Sequence, residues 1–266
     1  MKEIIFAPLF SGSNGNASIV QYGNTCILID AGRSGKQLIQ AMEKIGITPD
    51  MLDAVLVTHE HSDHIAGVGV LARRYGLPVY ATEGTWAVME EKVKEIPSLQ
   101  MRMFDHREDF YIGDLGIVPF AIPHDAADPV GYRLHGGGIS VAIATDLGYF
   151  SPRVEVALKG ADLVLLESNH DPEMLQQNPR YSAALKKRIL GKHGHLCNED
   201  SAEAMMKLMY YGTRRIILGH LSGENNTPEL AMTTAMDRLR DEGADGGMVV
   251  SVASRDGCEG VFRMYR

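Results

Sequence analysis

Cysteine is scarce in this 266-residue chain: Cys26, Cys197 and Cys258 are the only three, widely spaced and odd in number. No CxxC pair occurs, so neither a disulfide framework nor a thiolate zinc site is expected. Cys26, inside the apolar run TCILID, reads as a small buried hydrophobe. Long apolar runs are missing as well. None approaches the roughly 20 residues that a membrane helix needs, so no membrane span is expected. The opening MKEIIFAPLF carries a lysine, an acid and a proline before the polar SGSNGN, which makes a poor signal peptide and a good strand. A cytoplasmic location is the expectation that follows. Positive charge is also in deficit, with 26 Lys and Arg against 34 Asp and Glu. The net charge of −8 argues against a broad nucleic-acid-binding surface, though not against a local one.

Apolar residues at 45% and charged residues at 23% are ordinary for a globular protein. Val- and Ile-rich segments bounded by Gly, Pro and Asp predict strands throughout. They are KEIIFAP, SIVQY, TCILID, AVLVT, PVYA, MRMF, DFYI, GIVPFAI, GYRLH, ISVAIAT, DLVLLES, RIILGH, GMVVSVA and GVFRMYR. Helices interleave. One starts after Ser34 and stops at Gly46; another has Ser151 as N-cap, Pro152 first and Gly160 as stop; Thr227, Pro228 and Gly243 repeat that design. Residues 100–135 read as hairpins rather than βαβ units. Two packed sheets with helices outside, in a single domain over 1–266 and without a sequence repeat, is the expected organisation.

The stretch THEHSDH, residues 58–64, follows the apolar AVLV and supplies His59, His61, Asp63 and His64. Divalent ions take about four to six N or O ligands in fixed geometry. One ion would not use all four at this spacing, so two are implied, with His59 and His61 facing one and Asp63 and His64 the other. Further ligands should also stand at strand ends. His124 follows GIVPFAIP, Asp146 follows ISVAIAT, His220 follows RIILG and Asp30 ends TCILI. Any one of these alone is an ordinary strand-end residue; together with HEHSDH they form a candidate ligand set.

In that order these residues resemble the metallo-β-lactamase superfamily, over residues 30–220. The resemblance implies an α/β protein, a four-layer αββα sandwich with its site at one edge of the two sheets. It implies that His59, His61 and His124 hold one metal, that Asp63, His64 and His220 hold the other, that Asp146 bridges them and that Asp30 supports the ligand loop. Two divalent ions, Zn²⁺ and/or Mn²⁺ or Fe²⁺, are the implied cofactors, because an N/O ligand set accepts each of them.

Between Asp146 and His220 lie LLESNHD and KHGHLCNEDSAE. They resemble the Glu–His pairing of transfer-RNA 3′-processing endonucleases, with Glu167 and His195 in those places. A metal-bridging hydroxide would attack phosphorus, and His195, oriented by Glu167, would protonate the leaving alkoxide. Asp63, His195 and Glu167 are thus the expected catalytic residues. The gaps of 22 residues from His124 to Asp146 and 74 from Asp146 to His220 leave no room for the transfer-RNA enzymes' arm or for a β-CASP insertion. The whole chain, from FSGSNGNAS through HDAADPVGY and GHLCNEDSA to LGHLSGENNTPE, resembles the small WalJ/YycJ-type branch. In that branch a serine is expected where Cys197 stands. The branch implies a cytoplasmic 5′-to-3′ DNA exonuclease linked to mismatch-repair proteins. Small-molecule hydrolysis, of a cyclic phosphodiester or a thioester, stays open, as does a non-catalytic regulatory protein on the same fold. Expected substrate contacts are Ser11, Ser13, Asn14 and Asn16 in the glycine-rich loop, and Lys186, Lys187, Arg188 and Lys192 in an acid-free stretch before His195. A plain β-turn and a solvated helix face explain the same residues without a substrate.

Overall fold

Residues 3–244 and 246–266 are described in a computed structural model. Each predicted strand is present. The first sheet is built from β1 (Glu3–Phe10), β2 (Ala17–Tyr22), β3 (Thr25–Ile29), β4 (Ala54–Leu56), β5 (Val79–Thr82), β6 (Met101–Phe104) and the returning β14 (Phe262–Tyr265). The second is built from β7 (Phe110–Ile112), β8 (Leu115–Ala121), β9 (Val130–Gly136), β10 (Ile139–Ala144), β11 (Leu163–Glu167), β12 (Arg215–Gly219) and β13 (Val249–Val252). Their orders are β14-β1-β2-β3-β4-β5-β6 and β13-β12-β11-β10-β9-β8-β7. In the first sheet β14, β1, β2 and β3 pair antiparallel and β3 to β6 parallel. The second repeats this, antiparallel from β7 to β10 and parallel from β10 to β13. The halves therefore share a topology that their sequences do not display.

Side chains alternate across each strand, so a strand buried on both faces feeds two cores. In β3, Ile27 and Ile29 point to the other sheet, where they share a core with Tyr132, Leu163 and Leu165, while Cys26 and Leu28 point the opposite way. There they pack with Leu38 and Met42 of α1 (Gly35–Lys44), Leu71 of α3 (Val68–Tyr75) and Trp86 of α4 (Glu83–Val93). The outer face of the second sheet offers Val164 and Leu166 to α5 (Pro152–Leu158), α8 (Asn198–Tyr210) and α9 (Pro228–Asp241). That is the four-layer αββα order. Ser34, Ser151 and Thr227 cap α1, α5 and α9 as expected, each accepting from the backbone N–H three residues on. Among the described residues no helix is long and apolar enough to cross a membrane.

Parallel strands in both sheets end at one edge, and the chain turns sharply there. Asp30 after β3, Asp146 after β10 and His220 after β12 all have φ between +56° and +59°. L-residues adopt this left-handed conformation at a cost, Asp and His more readily than most. It bends the main chain back over the sheet end and leaves each side chain facing the edge.

Candidate metal centre

The short helix α2 (Ser62–Ile65) follows β4 and begins inside HEHSDH, with His61 as its N-cap residue and Asp63 and His64 in its single turn. The motif is therefore half loop and half helix. Ring nitrogens of His59, His61 and His124 lie within 4.8 Å of one another, and the same holds for donor atoms of Asp63, His64 and His220. Asp146 stands between these groups. Its Oδ1 is 3.6 Å from His124 Nε2 and 3.6 Å from His220 Nδ1, and its Oδ2 is 3.3 Å from His64 Nε2.

The protein engages the Nδ1 side of most of these rings. His59 Nδ1 meets Thr58 Oγ1 at 3.0 Å, His64 Nδ1 donates to Asp30 Oδ2 at 2.8 Å, and His124 Nδ1 donates to the Gly194 carbonyl at 3.2 Å. His220 Nδ1 donates to Glu167 Oε1 at 2.7 Å. Asp30 is itself held, accepting from the Thr58 N–H and hydroxyl at 2.8 and 2.9 Å. Fixing one ring nitrogen in this way aims the other, as metal-ligating histidines require. His59 Nε2, His220 Nε2 and Asp146 Oδ2 are buried with no hydrogen-bond partner among the described residues. Leaving one such atom unmet costs about 1–3 kcal/mol, so three at one place fit a donor set made for cations. His61 Nδ1 and His124 Nε2 also face each other at 3.3 Å.

Electrostatics divide the cluster. Burial, aided by neighbouring imidazoles, pushes the His59 ring well below its usual range and His124 below it, so both are neutral. On the other side burial opposes protonation of His64 and His220, and carboxylates override it. Asp30 and Asp146 hold His64 well above the usual value, and Asp146, Asp63 and Glu167 raise His220 to about 10. A field that retains protons on buried imidazoles also attracts a cation in their place.

Glu167 serves both imidazoles beside Asp146. Its Oε1 accepts from His195 Nδ1 at 2.8 Å as well as from His220. Its Oε2 accepts from the backbone N–H of Leu147 at 2.5 Å and of Leu196 at 3.1 Å. Burial would push this carboxyl up, but the facing His195 and His220 rings bring it to about 2. Nothing in the residue pattern signalled the tie to His220. His195 keeps 21% of its side chain exposed, against 2% for His220, so it is the ring of this pair that faces the opening.

The glycine-rich loop splits by position. Ser11 and Asn16 are buried: Ser11 Oγ accepts from the His220 backbone N–H at 2.9 Å, and Asn16 Oδ1 accepts from Gly12 N at 3.0 Å while its Nδ2 lies 3.0 Å from His64 Nε2. These two brace the site from beneath, which leaves Ser13 and Asn14, both exposed, as the loop residues able to reach a substrate. Of the basic stretch, Lys186, Lys187 and Arg188 lie on α7 (Ala183–Ile189), and Lys192 follows it. Lys186 donates to the Gln176 carbonyl and Arg188 pairs with Asp125 Oδ2 at 2.5 Å, so much of this charge is already engaged. Lys187 and Lys192 are exposed, with no carboxylate partner among the described residues. Glu60, in the middle of HEHSDH, turns away and accepts from Ala127 N at 2.9 Å, tying the β8–β9 loop to the motif. A cavity of about 170 Å³ opens beside His195, with Ser13 and Arg188 on its rim and Tyr181, which sequence reasoning passed over, on its wall.

Residues 25–221 match the family model described as the beta-lactamase superfamily domain. The chain is 41% identical to exodeoxyribonuclease YycJ of Bacillus anthracis over 251 residues, covering 94% of this chain and 95% of that protein. It is 44% identical to exodeoxyribonuclease WalJ of Streptococcus pneumoniae over 243 residues, 90% of each. Among solved structures, the metallo-beta-lactamase fold protein YhfI of Bacillus subtilis superposes with a TM-score of 0.74 at 19% identity, covering 99% of this chain and all of that one.

Proposed function

From a chain that belongs to the metallo-β-lactamase superfamily, in the branch of the YycJ and WalJ exodeoxyribonucleases, we propose a binuclear metal-dependent DNA exonuclease of 5′-to-3′ polarity, acting with mismatch-repair proteins in the cytoplasm. The observation that carries the reading is Glu167 gripping His195 and His220 through one oxygen, which couples an exposed proton donor to the buried donor set. His59, His61 and His124 would hold one divalent cation and Asp63, His64 and His220 a second, with Asp146 between them and Asp30 orienting His64. Bound there, such ions supply a nucleophilic water at neutral pH and offset charge growing on the phosphoryl oxygens.

The remaining chemistry falls to the chain's own groups. Water adds its oxygen to phosphorus, the P–O3′ bond breaks, and O3′ must leave as a hydroxyl. His195 Nε2 supplies that proton, while Nδ1 stays fixed on the Glu167 carboxylate, and the water's proton restores the balance. Glu167 is tied by two backbone N–H groups, so it holds the His195 ring in one orientation. Ser13, which lines the cavity beside His195, and the exposed Asn14, Lys187 and Lys192 are the residues left to meet phosphates.

The test is direct. Metal-loaded protein is incubated with end-labelled single- and double-stranded DNA, beside bis-p-nitrophenyl phosphate and a glutathione thioester. Progressive 5′-end degradation is expected; hydrolysis of the thioester alone would assign the site to small molecules. His195→Ala should retain its metal and lose turnover by roughly 10²–10⁴-fold on DNA. Unchanged turnover would remove His195 from the reaction.

A further inference from the structure

The short helix α7 has no buried residue, although it contains Leu185 and Ile189. Leu185 and Ile189, at i and i+4, make a short apolar stripe on the helix, and Tyr181 stands just before its Ser182 cap, outside the helix. Such a stripe ordinarily packs onto the protein. Here it forms the apolar wall of the 170 Å³ cavity whose other wall carries His195. The helix is fastened to that histidine, because the His195 backbone N–H donates to the Ile189 carbonyl at 2.9 Å. Its approach is fixed too. Asn178 Nδ2 donates to Asn225 Oδ1 at 2.7 Å, and Asn178 Oδ1 accepts from Arg180 N at 2.9 Å. Tyr181 is half-buried, and its ring and hydroxyl have no stacking or hydrogen-bond partner among the described residues.

We infer that this cavity is a binding site for a single nucleobase, with the Tyr181 ring as stacking platform and Leu185 and Ile189 closing its sides. The inference rests on the nuclease reading above. A cavity beside the proton donor holds whatever is attached to the departing oxygen. In 5′-to-3′ hydrolysis that oxygen is O3′ of the terminal nucleotide, so the base of the nucleotide being released occupies it. The flat apolar face of a base suits the stripe. The polar edge of the base meets Ser222 and Ser13, and the Arg188–Asp125 ion pair stands at the rim.

The test uses the full-length, metal-loaded protein and two 5′-phosphorylated oligonucleotides that differ only in whether the terminal nucleotide carries thymine or is abasic. Stacking on an aromatic platform corresponds to roughly 5- to 150-fold in affinity. The ratio of kcat/KM, thymine over abasic, should lie in that range for the wild-type protein and for Tyr181→Phe, and fall near 1 for Tyr181→Ala. A merely structural defect would depress both substrates together and keep the ratio. A second readout needs no turnover: a terminal 2-aminopurine should be quenched on binding the metal-free wild-type protein and not Tyr181→Ala. A wild-type ratio near 1, or the same ratio in Tyr181→Ala, would overturn the nucleobase site while leaving the exonuclease intact. Absence of any DNA degradation by the wild-type protein would overturn both.

Discussion

Adding one methyl group at Gly32 should dismantle half of the centre. Gly32 follows Asp30 and Ala31 and lies under α2. A Cβ built there would stand 1.6 Å from the Asp63 carbonyl oxygen, 2.4 Å from its carbon and 2.5 Å from Asn16 N. Ordinary contact begins near 3.4 Å, so the backbone carrying Asp63 would have to retreat by about 1.8 Å. No flexible side-chain tip is available to yield, since all three atoms are main chain. The same contact is laced by hydrogen bonds from Asn16 N to Asp63 O at 2.7 Å, Ala31 N to His64 O at 2.7 Å and Gly32 N to Asn16 O at 2.8 Å. Overpacking costs about 1–3 kcal/mol and each lost hydrogen bond about 0.5–1.5, which puts Gly32→Ala at about 3–5 kcal/mol. For a chain of this size that is a fall in Tm of roughly 10 °C. Displacement of catalytic groups by about 1 Å costs on the order of a hundredfold in rate, so activity should drop at least that far. Differential scanning fluorimetry, with metal content measured after gel filtration, reads both effects. Gly257→Ala is the control, because nothing lies within 4 Å of its Cβ. A Gly32→Ala protein with wild-type Tm and full metal content would refute the close-approach argument.

Glu167→Gln replaces an acceptor of four N–H groups by one that presents its own donor to some of them; Tm should fall by several degrees and turnover by roughly a hundredfold, and a wild-type rate would detach Glu167 from catalysis. Stripping divalent ions with a chelator should lower Tm and abolish DNA hydrolysis; adding Mn²⁺ or Zn²⁺ at a hundred times its Kd should restore about 2.7 kcal/mol per site, and an unmoved Tm would count against the donor set. Burial pushes the Cys26 and Cys197 thiols up to about 12, so at pH 8 only about one in ten thousand is thiolate. Ellman's reagent should therefore label neither in the folded protein, and rapid titration of two or more equivalents would contradict the raised thiol values.

The strands were legible because each is a short Val/Ile run between turn residues, and their alternation is plain in segments such as TCILI. Helix ends at Ser34, Ser151 and Thr227 were legible for the same local reason. Less so was α8, whose N-cap is Cys197: its Sγ accepts from Asp200 N at 3.5 Å, the task a serine would perform there, so the cap carried no familiar mark. The candidate donor set could be assembled from strand-end residues because parallel strands deliver their C-terminal ends to one edge. What stayed hidden depends on distance in sequence. The Glu167–His220 bond spans 53 residues and the Asn16–His64 contact 48, and neither leaves a local pattern. Tyr181, Leu185 and Ile189 were in plain view in the sequence, but apolar residues so spaced read as core until the fold leaves them uncovered. Repetition of topology between the halves left no trace, because each half satisfies the same pairing with different side chains.

The left-handed residues at the strand ends set stability and activity against each other. Each of Asp30, Asp146 and His220 holds a conformation that costs about 1–3 kcal/mol, and glycine would hold it without strain. At Asp30 and His220 glycine would also delete the bonds to Thr58, His64 and Glu167, so a library selected only for thermal tolerance should drift toward glycine at Asp146, whose Oδ2 has no hydrogen-bond partner among the described residues. A library selected for DNA hydrolysis should resist that drift. The edge where two sheets run out is thus kept under tension, and the direction in which variants relax it would reveal which pressure they have been living under.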